Sequence, residues 1–292
     1  MRYDFSYETA EGTVVDFGSG AFWPEEDSFR TMKYSLKQSN NKVRGFYRSL
    51  TEFDVSVSIH TENVAEAVTR CNELARLGAN DRRNLTPGTL RCGDYKTQGY
   101  IVSVEFTDSD DVYGFLTNAK VTVALENPTW TTEETRHFVK QESDRTAGDG
   151  DWLNYPHGFP YNYLPTDRSW QAIENSAYSP CSMRLTIFGF AENPTVRIGS
   201  NVYAVAGTVS EGSRLVIDTR EKEIYEVTRL GGKINRLDDR ARGPKGGGSY
   251  VFEEIPIGRH LITYDGSFGF DLTLIHEEDM PPFYVPKDEQ WT

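Results

Sequence analysis

The sequence predicts a mainly β protein with two domains, an N-terminal β-rich α+β domain that has one helix and a C-terminal β-sandwich. Three observations lead to this prediction. Apolar and polar residues alternate in short runs along both halves of the chain, as in half-buried strands. One stretch near residue 70 has helical periodicity instead. Beyond residue 181, turn residues separate the short runs, and no helical pattern is present.

Strand patterns occupy most of the first domain. Residues 2–8 alternate, and residues 31–37 and 42–48 have the pattern of two strands around a Gln-Ser-Asn-Asn turn. Three longer strands follow, each with one apolar face: Phe53, Val55, Val57 and Ile59; Tyr100, Val102, Val104 and Phe106; Val121, Val123 and Leu125. The Asn-Pro-Thr-Trp sequence at 127–130 is predicted to end the last strand.

One amphipathic helix is predicted between the first two of these longer strands. Asn63 is suited to cap its start, with Glu66 as the reciprocal capping partner, and Gly78 is placed to end it in a left-handed turn. Its apolar residues are expected to form one stripe that packs on the sheet: Val64, Val68, Cys71, Leu74 and Ala75.

The domain boundary is predicted from a long aperiodic stretch. Residues 141–180 contain Asp, Gly, Pro, Tyr and Trp with little periodicity. Because an irregular loop of that length is unusual inside one compact domain, we expect a connector there. The predicted division is an N-terminal domain at 1–135, an aromatic and Pro-rich connector at 136–180, and a C-terminal domain at 181–292.

The sequence pattern of the second domain predicts strands joined by turns. Leu185 and Ile187 alternate with Arg184 and Thr186, and a turn follows at Asn193. A further strand is predicted at Val196 and Ile198, and residues 214–218 and 223–227 are predicted to form a hairpin. Two more strands are predicted, one at 261–264 and a last one that contains Phe268, Phe270, Leu272 and Leu274. Short strands at this spacing indicate a sandwich of the jelly-roll or lectin-like type.

Composition and charge exclude several classes of protein. The net charge of −13 argues against general nucleic-acid binding, which needs a positive field. No run of 18 apolar residues is present, so membrane insertion is not expected. The N-terminus has no apolar signal region, and we expect a protein made and assembled in the cytoplasm of a host.

No catalytic or metal-binding motif is apparent. The three cysteines are far apart and lack the paired spacing of a zinc site, and the five histidines are scattered. Adjacent carboxylates such as Glu253 and Glu254 would point to opposite faces of a strand, so they do not form a facing glycosidase pair. We therefore expect a protein that is not an enzyme and that holds no cofactor or metal.

Two groups of residues are candidates for contact with a partner or a glycan. The Gly- and Arg-rich loop at 229–247 is locally basic in an acidic chain: Arg236, Arg240 and Arg242 are its candidate contacts. The connector supplies aromatic candidates: Trp152, Tyr161, Tyr163 and Trp170. Such side chains stack on sugars in lectins, but they are also favoured at protein interfaces, and we prefer the interface.

Several short motifs, in a fixed order, resemble the distal tail protein family of long-tailed phages, the Dit-type hub of the tail tip. They are C-N-E-L-A-R-L at 71–77, P-G-T-L-R at 87–91, G-Y-I-V-S-V at 99–104, N-P-T-W at 127–130, F-P-Y-N-Y at 159–163, A-E-N-P at 191–194, V-I-D-T-R-E-K-E-I-Y at 216–225 and Y-D-G-S-F-G-F-D-L-T-L at 264–274. Each motif alone is weak, but together they span nearly the whole chain.

The resemblance implies a structural hub of the virion tail tip. In that family the N-terminal domains, of a tail-tube-like split-barrel or sandwich type, form a hexameric ring that continues the tail tube. The C-terminal domains are galectin-like sandwiches on which receptor-binding or baseplate proteins dock. The implied partners are further copies of the chain, the tail tube protein, a tail-associated tip protein and DNA that only passes through the lumen. The resemblance brings no catalytic residues.

Two functions therefore remain open at the level of the sequence. The first is a ring-forming structural protein of the tail tip, which predicts an oligomer formed through residues 1–135. The second is a carbohydrate-binding adhesin, or the binding module of a cell-wall hydrolase, that recognises glycan on a host surface. The second predicts saturable sugar binding that is lost when Trp152 or Trp170 is replaced by Ala.

Overall fold

The computed structural model describes residues 5–27, 30–107, 116–140 and 171–282, and it confirms a mainly β fold. The chain divides into two compact units. The first contains residues 1–132 and 277–292, and the second contains residues 133–276.

The described part of the first unit contains strands on both sides of two adjacent helices. The strands before the helices are β1 (Phe5–Glu8), β2 (Val14–Asp16), β3 (Phe22–Asp27), β4 (Ser35–Ser39), β5 (Lys42–Tyr47) and β6 (Thr51–His60). The helices are α1 (Val64–Arg76) and α2 (Ala79–Asn84). The strands after them are β7 (Gly88–Cys92), β8 (Tyr95–Thr107), β9 (Leu116–Leu125) and β10 (Trp130–Phe138), which ends in the second unit.

Two antiparallel sheets of the first unit share β8. Their strand orders are β3–β6–β9–β8 and β8–β7–β1–β2. The change of partner falls at Gly99, because Gly99 pairs with Gly88 of β7 and the next residue pairs with Ala124 of β9. A Cβ atom on Gly99 would lie 2.7 Å from the carbonyl oxygen of Ala124. Only glycine therefore permits this close approach of the two strands.

The core of the first unit confirms two of the three predicted apolar faces. Phe53, Val55, Val57 and Ile59 are buried, and so are Val121, Val123 and Leu125. The predicted face of 100–106 is only partly confirmed: Val104 packs against the core, but Val102 and Phe106 are exposed and Ile101 is buried instead. A bulge between Ile101 and Ser103 places one extra residue in β8, and this reverses the alternation along the strand.

Helix α1 begins as predicted but packs on a stripe that only partly matches the predicted one. The Asn63 side chain accepts a hydrogen bond from the Glu66 amide at 2.9 Å, and Gly78 is left-handed with φ of 67°. The Glu66 carboxylate accepts from the amide of Glu62 rather than from that of Asn63. The helix packs on β6. Leu74 is buried and Cys71 half-buried, as the predicted stripe requires, and Ala67 is buried beside them. Val64, Val68 and Ala75 are exposed, so this part of the predicted stripe is wrong.

The short helix α2 was not predicted. It packs on β8, and Asp81 holds it to β1. The Tyr7 hydroxyl donates to the Asp81 carboxylate at 2.7 Å, and the amide of Ala10 donates to the same carboxylate at 3.0 Å. Burial and the neighbouring Asp81 raise the pKa of Tyr7 well above its ordinary value, so the phenol stays protonated and keeps its role as donor.

The second unit is a β-sandwich. Its strands after β10 are β11 (Gln171–Asn175), β12 (Ser182–Phe188), β13 (Ala191–Glu192), β14 (Thr195–Ile198), β15 (Asn201–Ala204), β16 (Thr208–Val209), β17 (Arg214–Asp218), β18 (Glu223–Val227), β19 (Lys233–Asn235), β20 (Gly258–Thr263) and β21 (Phe270–Glu278). One sheet has the order β19–β18–β17–β12–β21–β10, and the other has the order β11–β20–β14–β15. One apolar core contains side chains from both sheets.

Most predicted strands of the second unit are confirmed. Leu185 and Ile187 are buried as predicted, and the hairpin of β17 and β18 has the predicted bounds. The residues predicted for the last strand, Phe268, Phe270, Leu272 and Leu274, are all buried, although Phe268 lies just before β21 begins. A likeness to galectins in particular stays a prediction.

The two compact units differ from the predicted domains in two places. The predicted connector at 136–180 contains the end of β10 and all of β11, and β11 pairs along its length with β20 of the sandwich. The chain after residue 276 belongs to the first unit rather than to the C-terminal domain. Asp279 illustrates why, since it accepts a hydrogen bond from Tyr34 of the first unit at 2.9 Å.

Candidate interaction surfaces

The aromatic contacts predicted in the connector cannot be placed. Trp152, Tyr161, Tyr163 and Trp170 all lie outside the described residues. Their role as partner or glycan contacts stays a prediction.

The predicted basic loop at 229–247 is folded against the sandwich. It contains β19, which pairs with β18, and a 3₁₀ turn at Leu237–Asp239. Single antiparallel bridges tie Arg240 to Val205 and Arg242 to Tyr250. The loop is therefore held by backbone pairing at several points, in contrast to a free surface loop.

Arg236 is an internal structural residue. Its guanidinium forms ion pairs with Glu226 at 2.6 Å and Asp239 at 2.5 Å, and it donates to the carbonyl oxygen of Ala206 at 3.0 Å. Only 15% of the side chain is exposed, and Glu226 is buried beside it. Because these donors are used within the unit, Arg236 has a structural role, and its predicted role as a partner contact stays a prediction.

The two other predicted cations differ in their availability. Arg240 is half-buried and donates to the carbonyl oxygen of Leu237 at 2.5 Å. Arg242 is 69% exposed and lies 3.5 Å from the exposed carboxylate of Asp238, a pair that water screens strongly. Of the three, Arg242 is the most exposed.

A more exposed surface lies in the first unit, on the hairpin of β4 and β5. We call residues 35–47 the basic arm. No residue of the arm is buried, and its large apolar side chains are widely open to solvent: Leu36 is 48% exposed, Val43 54%, Phe46 66% and Tyr47 50%. The arm forms a two-stranded sheet of its own. It therefore exposes apolar area that a monomer would normally bury.

The arm is also strongly basic. Between Asp27 and Glu52 the chain has no acidic residue, and the arm itself contains Lys37, Lys42 and Arg44. Within the described part of the chain, these three cations form no ion pair. An apolar and basic arm on a chain of net charge −13 is the clearest candidate for a partner contact.

Arg48 anchors the base of the arm. Its guanidinium donates to the Thr129 hydroxyl at 3.1 Å and to the Tyr34 hydroxyl at 2.8 Å, and it also contacts the carbonyl oxygen of Pro128 and the Asp279 carboxylate. The same guanidinium lies 4.9 Å from the centre of the Tyr34 ring. These contacts hold the arm to the body of the first unit on both sides of the hairpin.

The outer face of the larger sheet in the second unit contains a polar depression of about 360 Å³. Arg184 lies there with Asp218, whose carboxylate is 3.1 Å from the arginine Nε, and Arg214 and Tyr225 line the same depression. Charged and hydroxyl groups beside one aromatic ring are the chemistry that binds a sugar.

Metal-binding groups and reactive thiols are sparse in the described part of the chain. No group of three or more residues is arranged to hold a metal ion there. None of the three cysteines forms a disulfide, and burial raises the pKa of Cys181 to about 11, so its thiol is a poor nucleophile at neutral pH. None of the described helices is both long and apolar enough to span a membrane.

Sequence reasoning missed the arm as a contact surface, although it predicted both strands. The signal was present: the stretch has six basic residues and no acidic one between Asp27 and Glu52. The Gly-rich loop was predicted as a contact because it contains several arginines. A sequence does not show which of these cations are paired with buried carboxylates.

Comparisons with known proteins extend this description. No protein-family profile matches the chain, and no curated protein matches it. Solved structures do match, over nearly the full length. The Dit protein of SPP1, a paradigm of the hub adsorption apparatus in phages that infect Gram-positive hosts, matches with a TM-score of 0.54 and 8% identity. That match covers 94% of this chain and 99% of the SPP1 chain.

Chains of the phage P2 baseplate in its activated conformation match similarly. With calcium the TM-score is 0.56, and with strontium it is 0.55, both at 11% identity. Each covers 96% of this chain, and 100% and 99% of the respective baseplate chains. The order and packing of strands, rather than the sequence, carry this likeness. The chain has the fold of phage Dit-type hub and baseplate proteins.

Proposed function

We propose that the protein is a structural component of a phage tail tip or baseplate. Copies of the chain form a hexameric ring hub that joins the tail tube to the host-adsorption apparatus. The single observation that supports this most strongly is the fold likeness to a hub protein, which extends over 94% of this chain and 99% of SPP1 Dit. Because the match covers 94% of this chain, it includes residues of both compact units, and the proposed hub function does not depend on likeness in one unit alone.

The same proposal assigns the partners and the place of action. The protein lies at the tail tip of the virion, in contact with the tail tube protein, a tail-associated tip protein and receptor-binding or baseplate proteins. DNA passes through the lumen without specific binding, and the acidic chain supports this because like charges do not adhere. The role is non-enzymatic, in keeping with the hub proteins that the fold resembles.

The mass of the purified full-length protein tests this proposal, with negative-stain images of the same sample. Six copies of a 33.1 kDa chain give a particle of roughly 200 kDa, as expected for a closed cyclic ring. We expect six-fold particles with a central channel. A monomer that persists at every protein concentration, and when the tail tube protein is added, would contradict the ring hub.

A second candidate, glycan binding, is supported by the polar depression beside Arg184 and Tyr225. Titration of the full-length protein with cell-wall polysaccharide of the host tests it. Saturable binding that Tyr225→Ala weakens would place the glycan in this depression. Binding that Trp152→Ala or Trp170→Ala abolishes, with Tyr225→Ala unchanged, would place it on the connector instead. No binding to any host polysaccharide would exclude this second function.

A further inference from the structure

We propose that the basic arm binds a second copy of this chain, with its apolar face covered by the neighbouring copy and its cations beside acidic residues of that copy. This inference rests on the proposed ring and names the element that joins adjacent subunits. It commits to one occupant, a second copy, and the structure supports it in four steps.

The arm has two different faces. In its register Leu36 lies opposite Phe46, and Gln38 lies opposite Val43. Residues that lie opposite each other in an antiparallel pair share a face, and so do residues two apart, so Leu36, Phe46 and Val43 form one apolar face. The ring of Tyr34 extends this face, since it meets the Phe46 ring edge-on at 6.3 Å.

The opposite face is polar and basic. Lys37 pairs with Gly45, and Ser39 pairs with Lys42. The register shifts between Lys37 and Gln38, so Arg44 is the extra residue of a bulge. Lys37, Lys42 and Tyr47, which pairs with Ser35, lie on the face opposite to Leu36, Val43 and Phe46. The arm is therefore an amphipathic hairpin without a core beneath it.

Such a hairpin needs a partner for its stability. Antiparallel sheets of globular proteins normally pack one face on a core, and an isolated two-stranded hairpin is at best marginally stable in water. The arm nonetheless has a regular two-residue turn, because Asn40 and Asn41 adopt φ of 52° and 56°, as a type I′ turn requires. A well-formed hairpin with an uncovered apolar face is the geometry of an element that completes its packing on another subunit.

Charge complementarity identifies that subunit as a second copy. The chain has 44 acidic and 31 basic residues, and three of the basic residues but none of the acidic residues lie in the arm. The surface that a copy presents outside its own arm is therefore more acidic than the chain as a whole. Opposite charges on the arm and on the rest of the molecule favour contact between copies and fix its direction.

The base of the arm is rigid enough for such docking. Arg48, Tyr34 and Asp279 are joined by hydrogen bonds and an ion pair, and Arg48 also contacts the turn that precedes β10. A preorganised arm loses less conformational entropy on binding than a flexible one. DNA is the other acidic partner to consider, but the phosphate backbone recognises cations alone and leaves the apolar face uncovered.

Two variants of the full-length protein and one control test the proposal. Leu36→Ser/Val43→Ser/Phe46→Ser removes the apolar face, and Lys37→Glu/Lys42→Glu/Arg44→Glu reverses the charge of the arm. The control, Tyr178→Ser/Leu230→Ser, removes two exposed apolar side chains from the second unit. Thermal unfolding confirms that all three fold, and analytical ultracentrifugation over a range of concentrations gives their dissociation.

We expect both arm variants to raise the dissociation constant of the oligomer at least about tenfold, because loss of buried anchors dominates interface energies. The control is expected to assemble as the parent does. If the arm variants assemble as the parent does, the arm inference is wrong while the ring hub stands. If the parent itself is monomeric throughout, both proposals fail. If the charge reversal only lowers the affinity for a short DNA duplex, the arm is a DNA contact and the inference is wrong.

Cross-linking locates the acceptor surface directly. Unlabelled and ¹⁵N-labelled protein are mixed before assembly and treated with a carbodiimide, which couples a lysine amine to a neighbouring carboxylate with loss of water. We expect mixed-isotope peptides that join Lys37 or Lys42 to an acidic residue. Cross-links of these lysines that never combine the two isotopes would overturn the inference.

Discussion

Two hairpins of this chain have similar lengths and opposite surroundings. The hairpin of β17 and β18 belongs to the sandwich and buries Leu215, Ile217 and Ile224 in its core. The basic arm has the same antiparallel pairing, but it buries no residue. Hydrophobic side chains therefore stabilise the second unit in one case and remain open to a partner in the other.

The same contrast applies to the arginines. In the second unit Arg236 is enclosed by Glu226 and Asp239, whereas Arg44 of the arm has no described ion pair. A paired and enclosed cation stabilises its own unit, and an unpaired exposed cation is available to an acidic partner. The number of arginines in a segment is thus a poor guide to binding.

The largest expected effect compares a core residue of one hairpin with an exposed residue of the other. Ile217→Ala creates a cavity in the sandwich and should lower the free energy of unfolding by about 2 to 5 kcal/mol. Leu36→Ala should change it by less than about 0.5 kcal/mol, since the side chain is half exposed. Urea denaturation of the dissociated protein measures both. An equally large loss for Leu36→Ala would show that the arm packs within its own subunit.

The second prediction compares the two kinds of arginine in the basic loop. Arg236→Ala leaves the buried Glu226 carboxylate without its cation and should cost about 2 to 3 kcal/mol of stability. Arg242→Ala removes an exposed pair and should cost less than about 0.5 kcal/mol. Urea denaturation at neutral pH distinguishes them. Equal costs would contradict the structural role assigned to Arg236.

A smaller effect concerns the turn of the arm. Asn41 is left-handed, and Asn41→Val should weaken the hairpin by about 1 kcal/mol because a β-branched residue is strained there. Asn41→Gly is the matched control, since glycine accepts the same conformation. Hydrogen exchange of residues 35–47 should accelerate in the Val variant alone. The same exchange rates in both variants would mean that the turn is not of the type described.

The smallest expected effect is an exposed ion pair that depends on pH. The Asp54 carboxylate lies 2.9 Å from Lys120 Nζ and accepts a hydrogen bond from Thr122, and these partners lower the pKa of Asp54 below its ordinary value of 3.8. A lowered pKa in the folded state adds stability above pH 4 and loses it as the pH falls through that pKa. Asp54→Asn should therefore cost less than about 1 kcal/mol at pH 7.

The pH dependence itself gives the control for this prediction. The difference between Asp54→Asn and the parent should shrink as the pH falls below 4 towards the lowered pKa of Asp54, and it should be smaller at high salt. A difference that grows as the pH falls would contradict the assignment of Lys120 and Thr122 as the partners of Asp54.

Sequence periodicity predicted the fold best where strands are regular. The faces of 53–59 and 121–125 and the hairpin of β17 and β18 needed only alternation and turn residues. It failed at β8, because a bulge adds one residue and no residue type in the strand marks its position. It also missed β10, which precedes the long aperiodic stretch, and β11, which lies within it.

The candidate surfaces were harder to predict than the fold. Helix α1 shows why: Leu74 is buried as predicted, but Ala67 is buried in place of Val64 and Val68, because the angle at which a helix meets its sheet is set by tertiary packing. In the same way, only the folded chain shows that Arg236 is enclosed and that the arm is open.

Hydrogen exchange at two protein concentrations tests the central claim most directly. If a second copy covers the arm, amides of residues 35–47 should be protected in the concentrated oligomer and should exchange rapidly after dilution to the monomer. Amides of β17 and β18 should be protected equally in both samples, because their core lies within one subunit. Exchange of the arm that is the same in oligomer and monomer would contradict the account.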